Sequence, residues 1–281
     1  MRQINYQSIP KTSVSVSHYT RLENIFLEKN WNQELASDKI KRRYIDTLSI
    51  LDANEQAFFL DLTERFTWIT SDKYKKKLVQ TLFFLCEKNK GKKLYFARCV
   101  GKKDLNKNKS SNFVLYLFKD HMIKNNINLS YQTVDDIRSI NVSELNNGSA
   151  LLVLVDDFIG TGKTAMEALE FVYDSLPRLT NDSSIIFLSI ASLKEGMDTI
   201  RGIGFHLYTS HIFKKGITDF YKGNLLVQAQ GQMKSIERKL QVERKFRFGF
   251  KRSEALLSMS RCPNNTFPIY WYSIGLAPYE R

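Results

Sequence analysis

The sequence predicts an α/β fold: a central parallel sheet flanked by helices, preceded by a helical N-terminal region. Three observations predict it. Ala150 to Val155 is apolar at every position, as suits a strand buried on both faces at the centre of a parallel sheet. Ile185 to Ala191 has nearly the same character and follows a helix-patterned segment, so strand, helix and strand succeed one another at the lengths of βαβ units with right-handed crossovers. Residues 19–90 repeat apolar side chains at intervals of three and four, and no Pro or Gly occurs between Lys11 and Lys90.

Taken in order, the helical stretch groups Leu22, Ile25 and Phe26, then Ile45, Leu48, Ile50 and Leu51, then Phe58, Phe59 and Leu62, then Leu78, Leu82, Phe83 and Leu85. Asn89-Lys90-Gly91 ends it. At Lys93 the period changes, and Leu94 to Ala97 with Cys99 and Val100 reads as a short buried strand. A Lys-rich loop, Gly101 to Ser110, follows. Asn112 is placed to cap a helix carrying Val114, Leu115, Leu117, Phe118 and Met122. Asn146-Asn147-Gly148 marks the turn before the strongest strand, at Ala150. Beyond that strand, Ala165, Ala168, Leu169, Val172 and Leu176 line one face of a helix that starts near Lys163 and is stopped by Pro177. Phe205 to Ile212 predicts a third strand, and Met233, Ile236 and Leu240 a helix over 233–246. Two short apolar segments then surround Cys262-Pro263-Asn264-Asn265-Thr266-Phe267-Pro268. With no internal repeat and no Pro-, Gly- or Ser-rich linker, a helical region of residues 1–92 is expected to pack on an α/β domain of residues 93–281.

Composition narrows the function classes. Cys86, Cys99 and Cys262 lie far apart and form no CxxC pair, so they read as free thiols in a reducing compartment. The first residues, MRQINYQSIPKTS, lack the apolar stretch of a signal peptide, and no run reaches the roughly 18 apolar residues of a membrane span. A soluble, cytoplasmic protein without a membrane partner is expected. The net charge of +13 is clustered: residues 71–109 hold 13 Lys and Arg against three acids, and residues 214–252 hold 11 against three. Such clusters attract polyanions and gain affinity by counterion release. In KFRFGFKR (Lys245 to Arg252) aromatics interleave with cations, a pattern able to serve bases or phosphates, or simply to form a solvated basic surface.

One stretch carries chemistry. Leu151 to Thr164 reads LLVLVDDFIGTGKT, placing Asp156 and Asp157 where a buried strand ends and Gly160-Thr161-Gly162 where a helix begins. That is the carboxyl edge of a parallel sheet, where α/β proteins bind ligands. The glycine loop can turn backbone N–H groups toward an anion, and the helix N-terminus adds about half a positive charge. Thr161 and Thr164 offer hydroxyls and Lys163 a full charge, so Gly160 through Thr164 suit one phosphate. Carboxylates accept hydrogen bonds and donate none, so Asp156 and Asp157 suit vicinal hydroxyls. A phosphate at one end and a diol at the other describe a ribose 5-phosphate. A Walker A loop is a poorer fit, because its first glycine would fall at Asp157, where a carboxylate repels a nucleotide's phosphates.

Four or more apolar residues, two acids and a Thr-Gly-x-Thr loop resemble the phosphoribosyl pyrophosphate motif of type I phosphoribosyltransferases. The resemblance implies that Asp156 and Asp157 are catalytic and face the ribose hydroxyls, that Gly160, Thr161, Gly162, Lys163 and Thr164 hold the 5-phosphate, and that Mg²⁺ is held mainly by the substrate's oxygens. The family's pyrophosphate loop would fall at Arg98 to Ser111, where Arg98, Lys102 and Lys103 are candidates to hold pyrophosphate. That loop is long, Lys-rich and non-standard, and no mobile catalytic loop or base-recognising hood stands out. A second, narrower likeness covers Phe248-Gly249-Phe250, Ser253 to Leu256, Cys262 to Pro268 and Trp271, which resemble the C-terminal signature of phosphoribosyltransferase-like conflict effectors, bacterial antiphage proteins of which some accompany retron reverse transcriptases. It implies a ligand such as phosphoribosyl pyrophosphate or a nucleotide, action at the anomeric carbon, and as partners a reverse transcriptase or other defence-system protein and the RNA–DNA of a retron. Asn264 and Asn265 either approach the ligand pocket or only form a polar turn. The alternative is an inactive binding module of the same fold that holds nucleic acid or regulates a partner. His18, His121, His206 and His211 show no metal-binding spacing; His206 and His211, five apart on one strand, would face opposite sides.

Overall fold

In a computed structural model, the structure describes residues 10–107, 110–124 (the backbone alone for 118–124), 130–272 and 276–279. In chain order the elements are α1 (Val16–Glu28), α2 (Ser37–Leu48), α3 (Ala53–Arg65), β1 (Thr67–Trp68), α4 (Ser71–Lys88), β2 (Lys93–Arg98), α5 (Ser110–Lys124), β3 (Tyr131–Val134), α6 (Val142–Asn146), β4 (Ala150–Ile159), α7 (Lys163–Ser175), β5 (Ile185–Leu193), α8 (Lys194–Gly202), β6 (His206–Thr209), β7 (Ile212–Phe213), α9 (Gly223–Lys239) and β8 (Leu257–Ser258). They form two compact units, one of residues 72–213 and one of residues 1–71 with 214–281. The boundary expected at residue 92 falls inside the first of these.

Residues 72–213 form an α/β unit. Its sheet is parallel throughout, in the order β3-β2-β4-β5-β6, with β7 pairing β5 beyond β6. β4 and β5 are buried along almost their whole length, which explains their unbroken apolar character. Beneath them Leu152, Leu154, Ile185 and Phe187 join Ala165, Ala168, Leu169 and Val172 of α7 in one core. Strand succession reverses between β2 and β4: β3 lies on one side of the pair and β5 on the other. Such a switch point opens a crevice at the carboxyl ends of the two strands. The single strand expected over Phe205 to Ile212 is split into β6 and β7, because Ser210 turns out to donate to the Ile190 carbonyl (2.6 Å) and His211 accepts from the Ser192 amide (2.9 Å). α5 begins at Ser110, two residues before the expected cap Asn112, and the expected contributions of Phe118 and Met122 lie outside the described side chains.

The other unit joins the two ends of the sequence. α3 starts with a reciprocal cap, Asp52 accepting from the amides of Asn54 and Glu55 while Glu55 accepts from Asp52 N–H. Tyr44, Phe59 and Phe66 from the N-terminal helices pack on Tyr270 and Tyr279, with Phe66 and Tyr270 ring centres 4.2 Å apart and Phe66 stacked on Tyr279 at 5.1 Å. Two-residue β1 and β8 pair in parallel, Thr67 with Leu257 and Trp68 with Ser258. The C-terminal signature is the unit's polar lock. Glu254 accepts from the amides of Ile217 (3.0 Å) and Thr218 (2.7 Å), Thr266 donates to the Leu257 carbonyl (2.6 Å), and Trp271 donates to the Thr266 carbonyl (2.8 Å). The helix expected over 233–246 runs instead from Gly223 to Lys239.

Candidate functional site

β2 ends at Arg98, which stands opposite Val155 of β4. β4 continues four residues further, to Ile159, with only β5 beside it. Asp156 and Asp157 therefore begin the segment that has left β2 behind and borders the crevice. Both are buried, at 9% and 8% exposure. Strand alternation directs successive side chains to opposite faces, yet Asp156 bends forward so that its Oδ1 accepts the Asp157 amide at 2.9 Å. Its register partner on β5 is Ser189, fully buried, whose hydroxyl has no hydrogen-bond partner among the described residues.

Asp157 faces hydroxyl donors. Ser110, the first residue of α5, donates to Oδ1 at 2.6 Å, and Tyr74 of α4 donates to Oδ2 at a long 3.4 Å. The N-terminal end of α5 thus meets the carboxylate, the favourable end of the helix dipole for a negative group. Tyr74 is itself fully buried and its ring packs on Phe113 of α5.

The glycine loop follows. Gly162 adopts φ +81°, a left-handed conformation that favours glycine, and precedes α7 with no side chain capping the helix. No side chain thus accepts from the first-turn amides, which can donate to an anion. Thr161 and Thr164 are half-buried; Lys163 is exposed and lies 3.5 Å from Glu167 one turn on. The loop rests on α8: the Gly160 carbonyl packs so closely on Gly196 that a Cβ there would lie 2.3 Å from the oxygen. Gly162 similarly faces Thr199.

The pyrophosphate candidates are less concerted. Arg98 is the last residue of β2, and its guanidinium donates to Asn112 Oδ1 (2.9 Å) and to the Leu105 carbonyl (3.1 Å), so it organises the loop. Lys102 lies 4.0 Å from Asp174, eleven residues along α7 from Lys163 and so about 16 Å down the helix axis. Lys103 is exposed. In the other unit the Asn265 side chain donates to Ser253 (3.1 Å), its backbone carbonyl accepts from Ala255, and the Asn264 carbonyl accepts from Phe250 (2.7 Å), so the turn is hydrogen-bonded to residues 250–255 of its own unit. The histidines are scattered: His18 Nδ1 is 2.8 Å from Gln56 Oε1, His211 packs on Phe213, His206 is exposed, and the side chain of His121 lies outside the described residues. Burial and Lys77 hold His211 below its ordinary pKa. Among the described residues no group of three or more His, Cys, Asp or Glu side chains could hold a metal. No described helix is long and apolar enough to cross a membrane, and no disulfide joins the three cysteines.

Sequence reasoning missed Tyr74, Ser110, Ser189 and Gly196. Each comes to the motif from another element, and none sits in a pattern of its own.

β4 thus carries two buried acids at the switch point and leads into an uncapped glycine loop, and a family comparison finds that residues 42–279 match the family described as PRTase-CE. The chain belongs to the PRTase-CE family. The match begins within α2 and takes in residues of both compact units. No curated protein matches the chain significantly. Among solved structures the PRTase-CE chain is similar to the Helicobacter pylori xanthine-guanine-hypoxanthine phosphoribosyltransferase, with a TM-score of 0.32 and 8% identity over 54% of this chain and 92% of that one.

Proposed function

We propose that the protein binds phosphoribosyl pyrophosphate, or a related ribose phosphate or nucleotide, and acts at the anomeric carbon as a phosphoribosyltransferase-like effector of a bacterial antiphage system, of the retron type or another. The observation that carries the reading is Asp157: a buried carboxylate at the switch point that already accepts from two hydroxyls, beside an uncapped glycine loop at a helix N-terminus. The 5-phosphate lies against Gly160 through Thr164, and Asp156 and Asp157 accept from the ribose hydroxyls. In transfer, the bond from the anomeric carbon to the pyrophosphate oxygen breaks and its electron pair leaves with pyrophosphate, the two carboxylates stabilise the positive charge that develops on the ring, and a nucleophilic atom of the acceptor forms the new bond to that carbon and gives up its proton.

Asp156 and Asp157 supply the hard oxygen donors that Mg²⁺ accepts, and Ser189 adds an orphaned buried hydroxyl on the Asp156 register. These fit a cation that draws its remaining ligands from substrate oxygens. When bound, Mg²⁺ neutralises charge on the leaving pyrophosphate; the chain's own contribution is to orient the sugar and grip the phosphate.

One observation favours a second reading, an inactive binding module: Arg98 and Lys102 are engaged by Asn112, Leu105 and Asp174. Calorimetric titration of phosphoribosyl pyrophosphate with Mg²⁺ tests the first. Binding to the parent and its loss in the Asp156→Asn/Asp157→Asn variant are expected; undiminished affinity in a folded double variant refutes the assignment.

A further inference from the structure

The unit made of residues 1–71 and 214–281 has a hollow of its own, of about 540 Å³, lined by Arg244, Lys245, Arg247, Phe250, Lys251 and Arg252. Five of its six lining residues are cationic and none is acidic. Lys245 pairs with Glu243 at 2.8 Å, but Arg244, Arg247, Lys251 and Arg252 form no ion pair among the described residues, and all four are exposed. Arg252 instead sits over the Phe248 ring at 4.6 Å.

The carboxylates behind this surface are withdrawn from it. Glu254 is spent on Ile217 and Thr218. Glu237 is fully buried, accepts the Phe248 amide at 2.5 Å and attracts Arg247 and Arg252, but burial raises its pKa, so it offsets them only in part. Uncompensated cations repel one another, so their convergence is a cost that an anion would relieve.

The backbone gives an independent sign. Six described residues other than glycine have positive φ, and five of them, Gln241, Phe248, Lys251, Arg252 and Glu254, fall within residues 241–254. Such conformations persist where the surroundings over-determine them, and they cluster at ligand sites. Here the determinants are visible: Phe248 N–H on Glu237, Glu254 N–H on the Phe248 carbonyl (2.8 Å), Phe250 N–H on the Asn264 carbonyl (2.7 Å), and Gly249 (φ +77°) pressed on the Asn265 carbonyl. The polar turn at Asn264 and Asn265 therefore fixes the strained loop that presents Lys251 and Arg252.

We infer that this hollow is a nucleic-acid site, holding successive phosphodiesters of a single strand with a base against Phe250. The hollow has the volume of a ligand pocket, roughly 300–1,000 Å³, enough for a nucleotide or two of a flexible strand but small beside the girth of a duplex. Five cations exceed what one phosphate group needs, and an aromatic face among cations is the pattern of sequence-tolerant single-strand binding. The inference stands independently of the ribose-phosphate reading, because none of its residues belongs to the Asp156–Thr164 motif.

The test is fluorescence anisotropy of a labelled mixed-sequence DNA strand of about 15 nucleotides with the full chain. The parent, an Arg244→Gln/Lys251→Gln/Arg252→Gln variant and a charge-matched Lys88→Gln/Lys90→Gln/Lys92→Gln control are compared from about 50 to 200 mM salt. Loss of about tenfold or more in affinity and a salt slope shallower by about 2 are expected in the hollow variant alone. An Arg244→Gln/Lys251→Gln pair, with a proportionately smaller loss, serves if the triple variant fails to fold. Absence of binding by the parent, equal loss in the control, or displacement of the strand by an equimolar amount of inorganic tripolyphosphate would each overturn the inference, the last in favour of a small polyphosphate ligand.

Discussion

Gly196→Ala tests whether the glycine loop is a positioned phosphate cradle. The added Cβ would lie 2.3 Å from the Gly160 carbonyl oxygen and 2.9 Å from Ile159 Cγ2, whereas side-chain contacts need at least 3.0 Å and ordinarily 3.4 Å. The neighbour is backbone and cannot rotate away, so Gly160 and α8 must separate by about 0.7–1.1 Å. Overpacking of this kind costs about 1–3 kcal/mol, and replacing a helical glycine by alanine returns about 1 kcal/mol. The net is about 0–2 kcal/mol, so Tm should fall by no more than about 8 °C. Binding suffers more: a displacement near 1 Å takes a loop amide out of hydrogen-bond reach of the phosphate, and losing one such charged hydrogen bond, worth about 1.5–3 kcal/mol, weakens affinity by about tenfold to a hundredfold. Gly202→Ala in the same helix meets nothing within 4 Å and serves as the control, leaving Tm and binding unchanged or Tm slightly higher. The assay is thermal unfolding beside calorimetric titration of phosphoribosyl pyrophosphate with Mg²⁺. A Gly196→Ala protein that binds within about twofold of its parent refutes the cradle.

Two further outcomes follow from buried or bridging groups. Ser110→Ala removes the 2.6 Å donor to Asp157; because Ser110 is exposed and water can take its place, denaturant unfolding should show a loss of only about 1 kcal/mol, and a loss near zero would mean that the contact does not hold α5 to β4. Burial pushes Glu237 from the ordinary 4.5 up to about 7, against the opposing pull of the Phe248 amide, Arg247 and Arg252. The folded state then binds the proton more tightly than the unfolded one, so this stability is complete below about pH 4.5 and is lost as pH rises to about 7, a total of about 3 kcal/mol. Unfolding of a Glu237→Gln variant should lack that decline, and an identical pH profile in variant and parent would refute the assignment.

The sequence made the sheet's centre legible because burial on both faces leaves a continuous apolar record at Ala150 to Val155 and Ile185 to Ala191. α7 begins at Lys163 as its apolar stripe and the preceding glycines require. β3 was not legible: Tyr131–Val134 is an edge strand, only partly buried, and such a short stretch records little. β1 and β8 are two residues each and exist because the ends of the chain meet, a long-range fact with no local period. The same holds for the division of the chain. α4 has the same period as α1 to α3, yet it belongs to the α/β unit, because periodicity shows which face a helix buries and not against what. At the site, the motif was legible as contiguous residues, whereas Tyr74 and Ser110 reach Asp157 across 83 and 47 positions of sequence.

Those two hydroxyls bear on how a ribose would be held. A carboxylate offers about four acceptor positions, of which Ser110 and Tyr74 occupy two. The short Ser110 bond fixes the orientation of the Asp157 carboxylate at the strand end, and the 3.4 Å Tyr74 bond adds a weak restraint from α4. The remaining acceptor positions are thereby oriented before any sugar arrives, and a diol can bind without first displacing Ser110. Orientation settled in advance is what lets a buried carboxylate stabilise charge as it develops rather than reorganise around it. The phosphate end is fixed in the same way by backbone against Gly196. Both ends of the proposed ligand thus meet groups that other elements hold in place.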